Sequence, residues 1–261
     1  MDPHLPGLLP TGQSAKEAAV SDRPILFSAP MMCALLAGTK TQTRRVLNPQ
    51  PGACDHSLIP GEPPRFVIEG STTHCAVCGN GMELDHRRRD GVRSISLKYQ
   101  KGDRLYVREA WKTHAAYDDI SPAAMGGDEP ILYEADGAHQ TWGYPAISKI
   151  GRFRQGMHMP RWASRLTLTV TEVRVQRLQE ISDEDAREEG VNRRSPMVRQ
   201  MWLFGADAQE RERIYLQACR WEYEALWNSL NDARGFGWDA NPWVVAVSFT
   251  VERRNIDQVR P

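Results

Sequence analysis

Arg165-Leu166-Thr167-Leu168-Thr169-Val170-Thr171-Glu172-Val173-Arg174-Val175 is the stretch whose reading decides the fold. Apolar and polar residues alternate with a period of two, the pattern of a strand with one buried face. Leu166, Leu168 and Val170 form the buried set. Val173 and Val175 continue it out of phase, so the spacing predicts a bulge near Glu172.

Upstream, Arg23 to Phe27 reads as a strand and Ala29 to Ala37 as a short helix, with Ser28 placed to cap it, Pro30 in its first turn and Gly38 to end it. Arg65 to Glu69, Val92 to Tyr99, Arg104 to Arg108 and Ile131 to Ala135 read as further strands, with a turn at Lys101-Gly102-Asp103. Downstream, Ser182 opens a helix that Gly190 closes. Ala208 to Leu230 is the longest helical stretch, its apolar face formed by Ile214, Ala218, Trp221, Ala225 and Leu226. Trp243 to Val251 is a last strand. Strands outnumber helices and do not alternate regularly with them. The expectation is an α+β fold with a mainly antiparallel or barrel-like sheet.

The 261 residues suit one large domain with insertions. Residues 1–21 read as a flexible tail, 22–255 as the domain, 52–92 as a Cys/His insertion, 191–235 as a helical insertion and 256–261 as a second tail. Lys+Arg and Asp+Glu both total 33. Any nucleic-acid contact must therefore come from a local basic surface, and a protein that coats duplex DNA is disfavoured. No apolar run reaches the length of a membrane span, and no secretory signal precedes the domain, so a cytoplasmic protein with reduced cysteines is expected. No glycine-rich phosphate loop follows a strand, so no nucleotide cofactor is expected.

Chemistry concentrates at Gly38-Thr39-Lys40-Thr41-Gln42-Thr43-Arg44-Arg45. A lysine in a partly dry pocket loses proton affinity and can act as a base. Thr43 beside it can serve as a nucleophile, and Arg44 and Arg45 can hold a carbonyl or phosphate. The same residues also fit a solvated basic turn after a helix. Arg108-Glu109-Ala110-Trp111 places two charges and a flat ring at a strand end. There Glu109 is a candidate acid/base and Trp111 a stacking surface, or the set is a surface pair beside a core ring. His158 and Arg161, before the central strand, are further candidate ligand contacts. Cys54, His56, Cys75 and Cys78 fall in one loop-rich stretch with a CxxC spacing, which fits a closed structural zinc site. His74 and His86 are alternatives for the fourth ligand.

At these residues the chain resembles the ASCH domain of the PUA-like superfamily. Gly38, Lys40, Thr43 and Arg45 match the signature G-x-K-x-x-[E/T]-x-R that follows a helix. Lys101 to Glu109 is similar to the family's G-D-x-L-x-V strand, and Leu178 to Ala186 to its strand-to-helix segment. His158 to Arg165 and Trp238 to Val244 are similar to segments of long ASCH proteins of bacteriophages and prophages. The resemblance spans about residues 23 to 252, with 52 to 92 as an insertion. It implies a small β-barrel flanked by helices, with a cleft beside the signature turn that binds a modified nucleoside or nucleic acid, RNA ahead of DNA. One bacterial branch removes the acyl group of N4-acetylcytidine with a Lys, a Thr and a Glu. Lys40 and Thr43 match the first two. The third position falls near Thr169, so Glu172 or Glu109 would have to supply the carboxylate. A ribonuclease using the same pocket, and a phage or host interaction module built on the insertions, are the alternative functions.

Overall fold

The central strand forms over Thr167–Arg177 (β10) and pairs along its whole length with Trp243–Glu252 (β11), antiparallel. The ladder slips between Val170 and Glu172, where the change of phase predicts a bulge. The structure is a computed structural model that describes residues 21–50, 66–69, 72–75, 95–140, 147–191, 200 and 207–259; in 66–69 and 72–75 only the backbone and Ile68 are described.

Around β10 and β11 lies a five-stranded mixed sheet. Arg104–Arg108 (β6) pairs antiparallel with β10, and Asp22–Leu26 (β1) runs parallel to β6 at one edge. Gln42–Val46 (β2) pairs antiparallel with β11 at the other edge. The fold is α+β, as expected. Among the described residues no backbone ladder closes this sheet into a barrel. Its two edges nevertheless come within a side chain's reach, because Arg45 Nη2 on β2 donates to the Leu26 carbonyl on β1 at 2.9 Å. Phe66–Glu69 (β3), Thr72–Cys75 (β4) and Ile95–Ser96 (β5) form a second sheet; Trp111–Lys112 (β7), Ile131–Tyr133 (β8) and His139–Gln140 (β9) form a third. Of the strand expected over Val92 to Tyr99, residues 92–94 lie outside the described residues; among the rest Ile95 and Ser96 pair, and Leu97 and Tyr99 are buried as a period of two demands.

Ala29–Leu36 (α1) follows β1 and packs Met32 and Leu35 onto the sheet with Leu105, Val107, Leu168, Val247 and Phe249. Each such side chain taken fully out of water contributes about 1.5–3 kcal/mol. Ser28 precedes the helix as expected but makes no side-chain capping bond. Asp183–Glu188 (α2) is capped by Ser182, whose oxygen accepts from the Asp185 amide. Ala208–Asn231 (α3) is the longest helix. Its buried stripe corrects the expected face. Tyr215, Cys219, Tyr223, Trp227 and Asn231, spaced by four, point inward with Ala218, while Trp221 and Ala225 are exposed. Tyr223 and Trp227 pack on Leu178, Ile181 and Ala186, which docks α3 against α2. Residues 256–259, expected as a tail, are instead packed: Ile256 is fully buried and the Val259 carbonyl accepts from Arg104 at 2.6 Å.

Candidate functional site

The signature turn is fixed before any side chain is considered. Gly38 ends α1 at φ +70°, a left-handed conformation that favours glycine. The chain then doubles back, so that the Thr39 and Lys40 amides both donate to the Ala34 carbonyl. Lys40 forms a backbone bridge with Glu189, the Thr41 amide donates to the Glu188 carbonyl, and the Thr41 carbonyl accepts from Phe249. The turn is thus clamped between the end of α2 and β11. Gly190, at φ +80°, makes the approach possible. A Cβ there would lie 2.7 Å from the Lys40 Cβ and 2.8 Å from the Ala34 Cβ.

This geometry buries Lys40 to 1 % exposure. Its Nζ donates to the Glu189 carbonyl at 2.7 Å and to Glu189 Oε2 at 2.8 Å. Glu189 Oε1 accepts from Arg44 Nη1 at 3.1 Å, and Arg44 Nη2 donates to Asp185 Oδ2 at 2.6 Å. Arg174 donates to the same Asp185 oxygen, and Gln42 joins the set by donating to Asp185 and Glu188 and accepting from Arg44. Burial lowers the proton affinity of Lys40; Glu189 opposes this and Arg45 and Arg44 add to it, leaving the amine below the usual lysine range. Burial pushes the Asp185 carboxyl up, but Gln42, Arg44 and Arg174 outweigh it and hold the group below its ordinary value.

Alternation along β2 sends Thr43 and Arg45 to the face of Val247 and Val245, and Gln42 and Arg44 to the opposite face, toward α2. Because β2 is an edge strand, one cavity wraps around it and reaches both faces. It encloses about 380 Å³ and is lined by Lys40, Thr43, Arg44, Arg45, Glu189 and Tyr223, with Phe27, Met31, Trp227 and Leu230 as its apolar walls. Lys40 and Arg45 stand 5.6 and 5.3 Å from the Phe27 ring centre. The Tyr223 hydroxyl is buried and makes no well-formed hydrogen bond, although Glu189 is near enough for its charge and a side-chain contact to be felt. Burial first, then that charge, pushes the pKa of this phenol well above its ordinary value, so the hydroxyl keeps its proton.

The remaining candidates are placed elsewhere. Glu109 is buried, but both its oxygens accept from Arg165, at 2.8 and 2.9 Å, and it is not a partner of Lys40. Glu172 is 58 % exposed at the bulge and faces Arg174 at 3.6 Å. Neither acid takes the position that the sequence resemblance leaves open; among the described residues Glu189 is the carboxylate on Lys40. Trp111 is fully buried with Arg154 over its ring, which removes it as a stacking surface. Arg161 is clamped by Asp22 and Asp257, and His158 is exposed on a 3-10 turn. Arg108 donates to the Met157 carbonyl and the Tyr106 hydroxyl. Cys54, His56 and Cys78 lie outside the described residues, and Cys75 falls in β4 without a described side chain. Among the described residues no group of His, Cys, Asp or Glu is gathered for a metal ion.

Sequence reasoning missed Glu189, Asp185, Gln42 and Tyr223. One signal was available for the first. Glu188-Glu189 ends a helix, where the macrodipole disfavours negative charge, so something else must hold those acids there. Chemically, the arrangement is a buried amine that donates to a carboxylate, beside two hydroxyl groups and the guanidinium groups of Arg44 and Arg45. Comparison with known proteins finds no matching family model, no similar curated protein and no similar solved structure.

Proposed function

We propose that the Lys40 cavity recognises a modified nucleobase, in RNA ahead of DNA, and that the domain is of the PUA-like, ASCH type. The observation that carries this reading is the buried Lys40–Glu189 pair in the wall of a cavity that also holds Thr43 and the Tyr223 hydroxyl. The cavity volume suits a base with a small substituent. Phe27 and Trp227 offer flat apolar walls, and the polar groups converge as the edge of a base requires.

The same pair favours a second reading, hydrolysis of an N4-acylated cytidine. That reaction breaks the bond between N4 and the acyl carbon, gives the acyl group a water oxygen and gives N4 a proton. In the resting pair Lys40 holds the proton and Glu189 accepts its hydrogen bond. Passage of this proton to Glu189 frees the amine to accept a proton from the Thr43 hydroxyl, or from a water, as that oxygen adds to the acyl carbon. The proton then moves to N4 as it departs. If Thr43 is acylated, water releases the acyl group in a second step. The lowered proton affinity of Lys40 is in the direction this step needs.

Incubation with N4-acetylcytidine, followed by chromatography for cytidine, separates the two readings. Turnover that falls at least about 100-fold in Lys40→Ala and in Glu189→Gln supports hydrolysis. Binding by calorimetry without turnover leaves recognition alone. Neither binding nor turnover, for the nucleoside or for RNA that contains it, overturns both. For residues 52–92 we propose a zinc staple held by Cys54, His56, Cys75 and Cys78. Metal analysis is expected to find one zinc per chain, lost in Cys75→Ser; metal-free protein sinks the idea.

A further inference from the structure

A second cavity, of about 510 Å³, opens in the seam where the edges of the five-stranded sheet approach without pairing. Arg45, Lys98 and Arg108 line it, and among the described residues no acidic one does. Two of these cations are held at the end of β1. Leu26 is the register partner of Arg108 in the parallel ladder, and its carbonyl accepts from Arg45. The third, Lys98, is exposed and sits against the Tyr99 ring at 5.5 Å.

None of the three has a carboxylate partner among the described residues. Arg45 donates to a carbonyl, Arg108 to a carbonyl and a phenol, and the buried Nε of Arg108 has no acceptor. Arg23, Arg104, Arg161, Arg165 and Arg174 all face acids. In a chain of zero formal charge, three cations that gather without counter-charge among the described residues are held together against their mutual repulsion. An anion in the seam removes that cost and also supplies the acceptor that Arg108 lacks.

Arg45 lines both cavities, so a group in the seam is one side chain away from a ligand beside Lys40. We propose that the seam binds a backbone phosphate of the strand whose modified base occupies the Lys40 cavity, which makes the ligand a nucleotide within single-stranded nucleic acid and not a free nucleoside. This rests on the base-recognition reading above. Three cations in a concavity match one or two phosphates of a flexible strand, not the long phosphate rows of a duplex.

The test measures binding of a short single-stranded RNA carrying one N4-acetylcytidine, across a range of salt, beside binding of free N4-acetylcytidine. With about 0.7 of a unit of logarithmic salt slope per phosphate contact on a single strand, Lys98→Ala flattens the slope by about 0.7, as does Arg108→Gln. Each weakens RNA binding about tenfold and leaves the free nucleoside unchanged. Lys40→Ala shows the converse, losing preference for the acetylated base while the slope stays. Equal slopes in wild type, Lys98→Ala and Arg108→Gln overturn the phosphate site. So does competition by polyglutamate as effective as that by unmodified RNA of equal charge. Failure of the base reading looks different: acetylated and plain RNA then bind alike in every protein, with the Lys98 effect on slope intact.

Discussion

Two ion-pair networks with buried members share this fold, and one of them, the Lys40–Glu189 network, lines a cavity among the described residues. In the first, Lys40 and Arg44 hold Glu189, and Arg44 continues to Asp185. In the second, Arg165 holds Glu109 with two hydrogen bonds and Asp136 with a third, and its guanidinium lies 4.1 Å from the centre of the Tyr133 ring. The Tyr133 hydroxyl lies within hydrogen-bond reach of two oxygens, the Ala163 carbonyl and the Gln140 side chain, which share its one proton. Tyr133 and Tyr223 are both buried tyrosines beside a carboxylate, but Tyr133 is well hydrogen-bonded, whereas Tyr223 has at most a loose contact with Glu189. The Tyr223 hydroxyl and Arg44 Nε keep unused hydrogen-bonding capacity next to the cavity. Burial and charge pairing therefore do not mark the site, since both networks have them. Unspent polar groups that face a volume able to hold a ligand do.

The comparison breaks most sharply at the two cations. Arg165→Met leaves Glu109 buried with its paired cation gone, at a cost of about 3–5 kcal/mol. Lys40→Met leaves Glu189 still bonded to Arg44, so its cost is about 1–3 kcal/mol. Urea unfolding ranks the two. Ligand binding is expected to rank them in reverse: lost with Lys40→Met, retained by folded Arg165→Met. Equal stability losses would mean that the networks do not differ as described.

A glycine pair sharpens the same contrast. Gly190 and Gly235 have φ of +80° and +78°, so alanine at either carries the left-handed cost of about 1–2 kcal/mol. A Cβ at Gly235 meets nothing within 4 Å, whereas at Gly190 it meets Lys40. Gly190→Ala is expected to cost about 1 kcal/mol more and to weaken ligand binding, while Gly235→Ala leaves binding alone. Thermal melts and a binding titration of both variants decide it. A Gly190→Ala protein with wild-type affinity would show that the Lys40 position tolerates a push.

What the sequence disclosed follows the range of the interactions. β10 and its bulge were legible because a period of two is a local signal, and so was the helix stop at Gly38. The turn read over Gly38 to Arg45 is shorter than expected, because Gln42 to Arg45 are drawn into β2 by pairing with β11, a partner far away in the chain. The face of α3 was misread because apolar type alone selected Ile214, Trp221 and Ala225, whereas the helix buries Tyr215, Tyr223 and Trp227. Two of those are amphipathic residues that type alone discounts. The parallel pairing of β1 with β6 and the contact of Lys40 with Glu189 join segments far apart in the chain, and no spacing rule reaches that far. Glu109, close in character to what was sought, was taken by Arg165.

Tyr223→Phe tests the unspent hydroxyl directly. Removing a buried hydroxyl that makes no well-formed hydrogen bond is expected to leave stability unchanged or raise it by up to about 1 kcal/mol, while ligand affinity falls about tenfold. A destabilised variant would mean that the hydroxyl has a structural partner. Tyr133→Phe, which strips the hydroxyl that Ala163 and Gln140 share, is the matched control and is expected to lose stability.

The smallest effect lies in acid, where the networks carry opposite signs. For Asp185 burial raises the carboxyl, but Gln42, Arg44 and Arg174 bring it below 3.8. Its stabilisation is therefore complete above pH 3.8 and is lost as pH falls through the folded value. For Glu109 burial prevails over Arg165 and lifts the group above 4.5. Its contribution is fully present below pH 4.5 and fades as pH rises through the folded value. Asp185→Asn should flatten the loss of stability on the acid side of pH 3.8, and Glu109→Gln should flatten the decline above pH 4.5. Melting temperatures recorded against pH for the two variants and wild type read both slopes. If Asp185→Asn leaves the acid limb unchanged, Asp185 is not held by its three partners in solution, and the wall that they build behind Glu189 is looser than its distances imply.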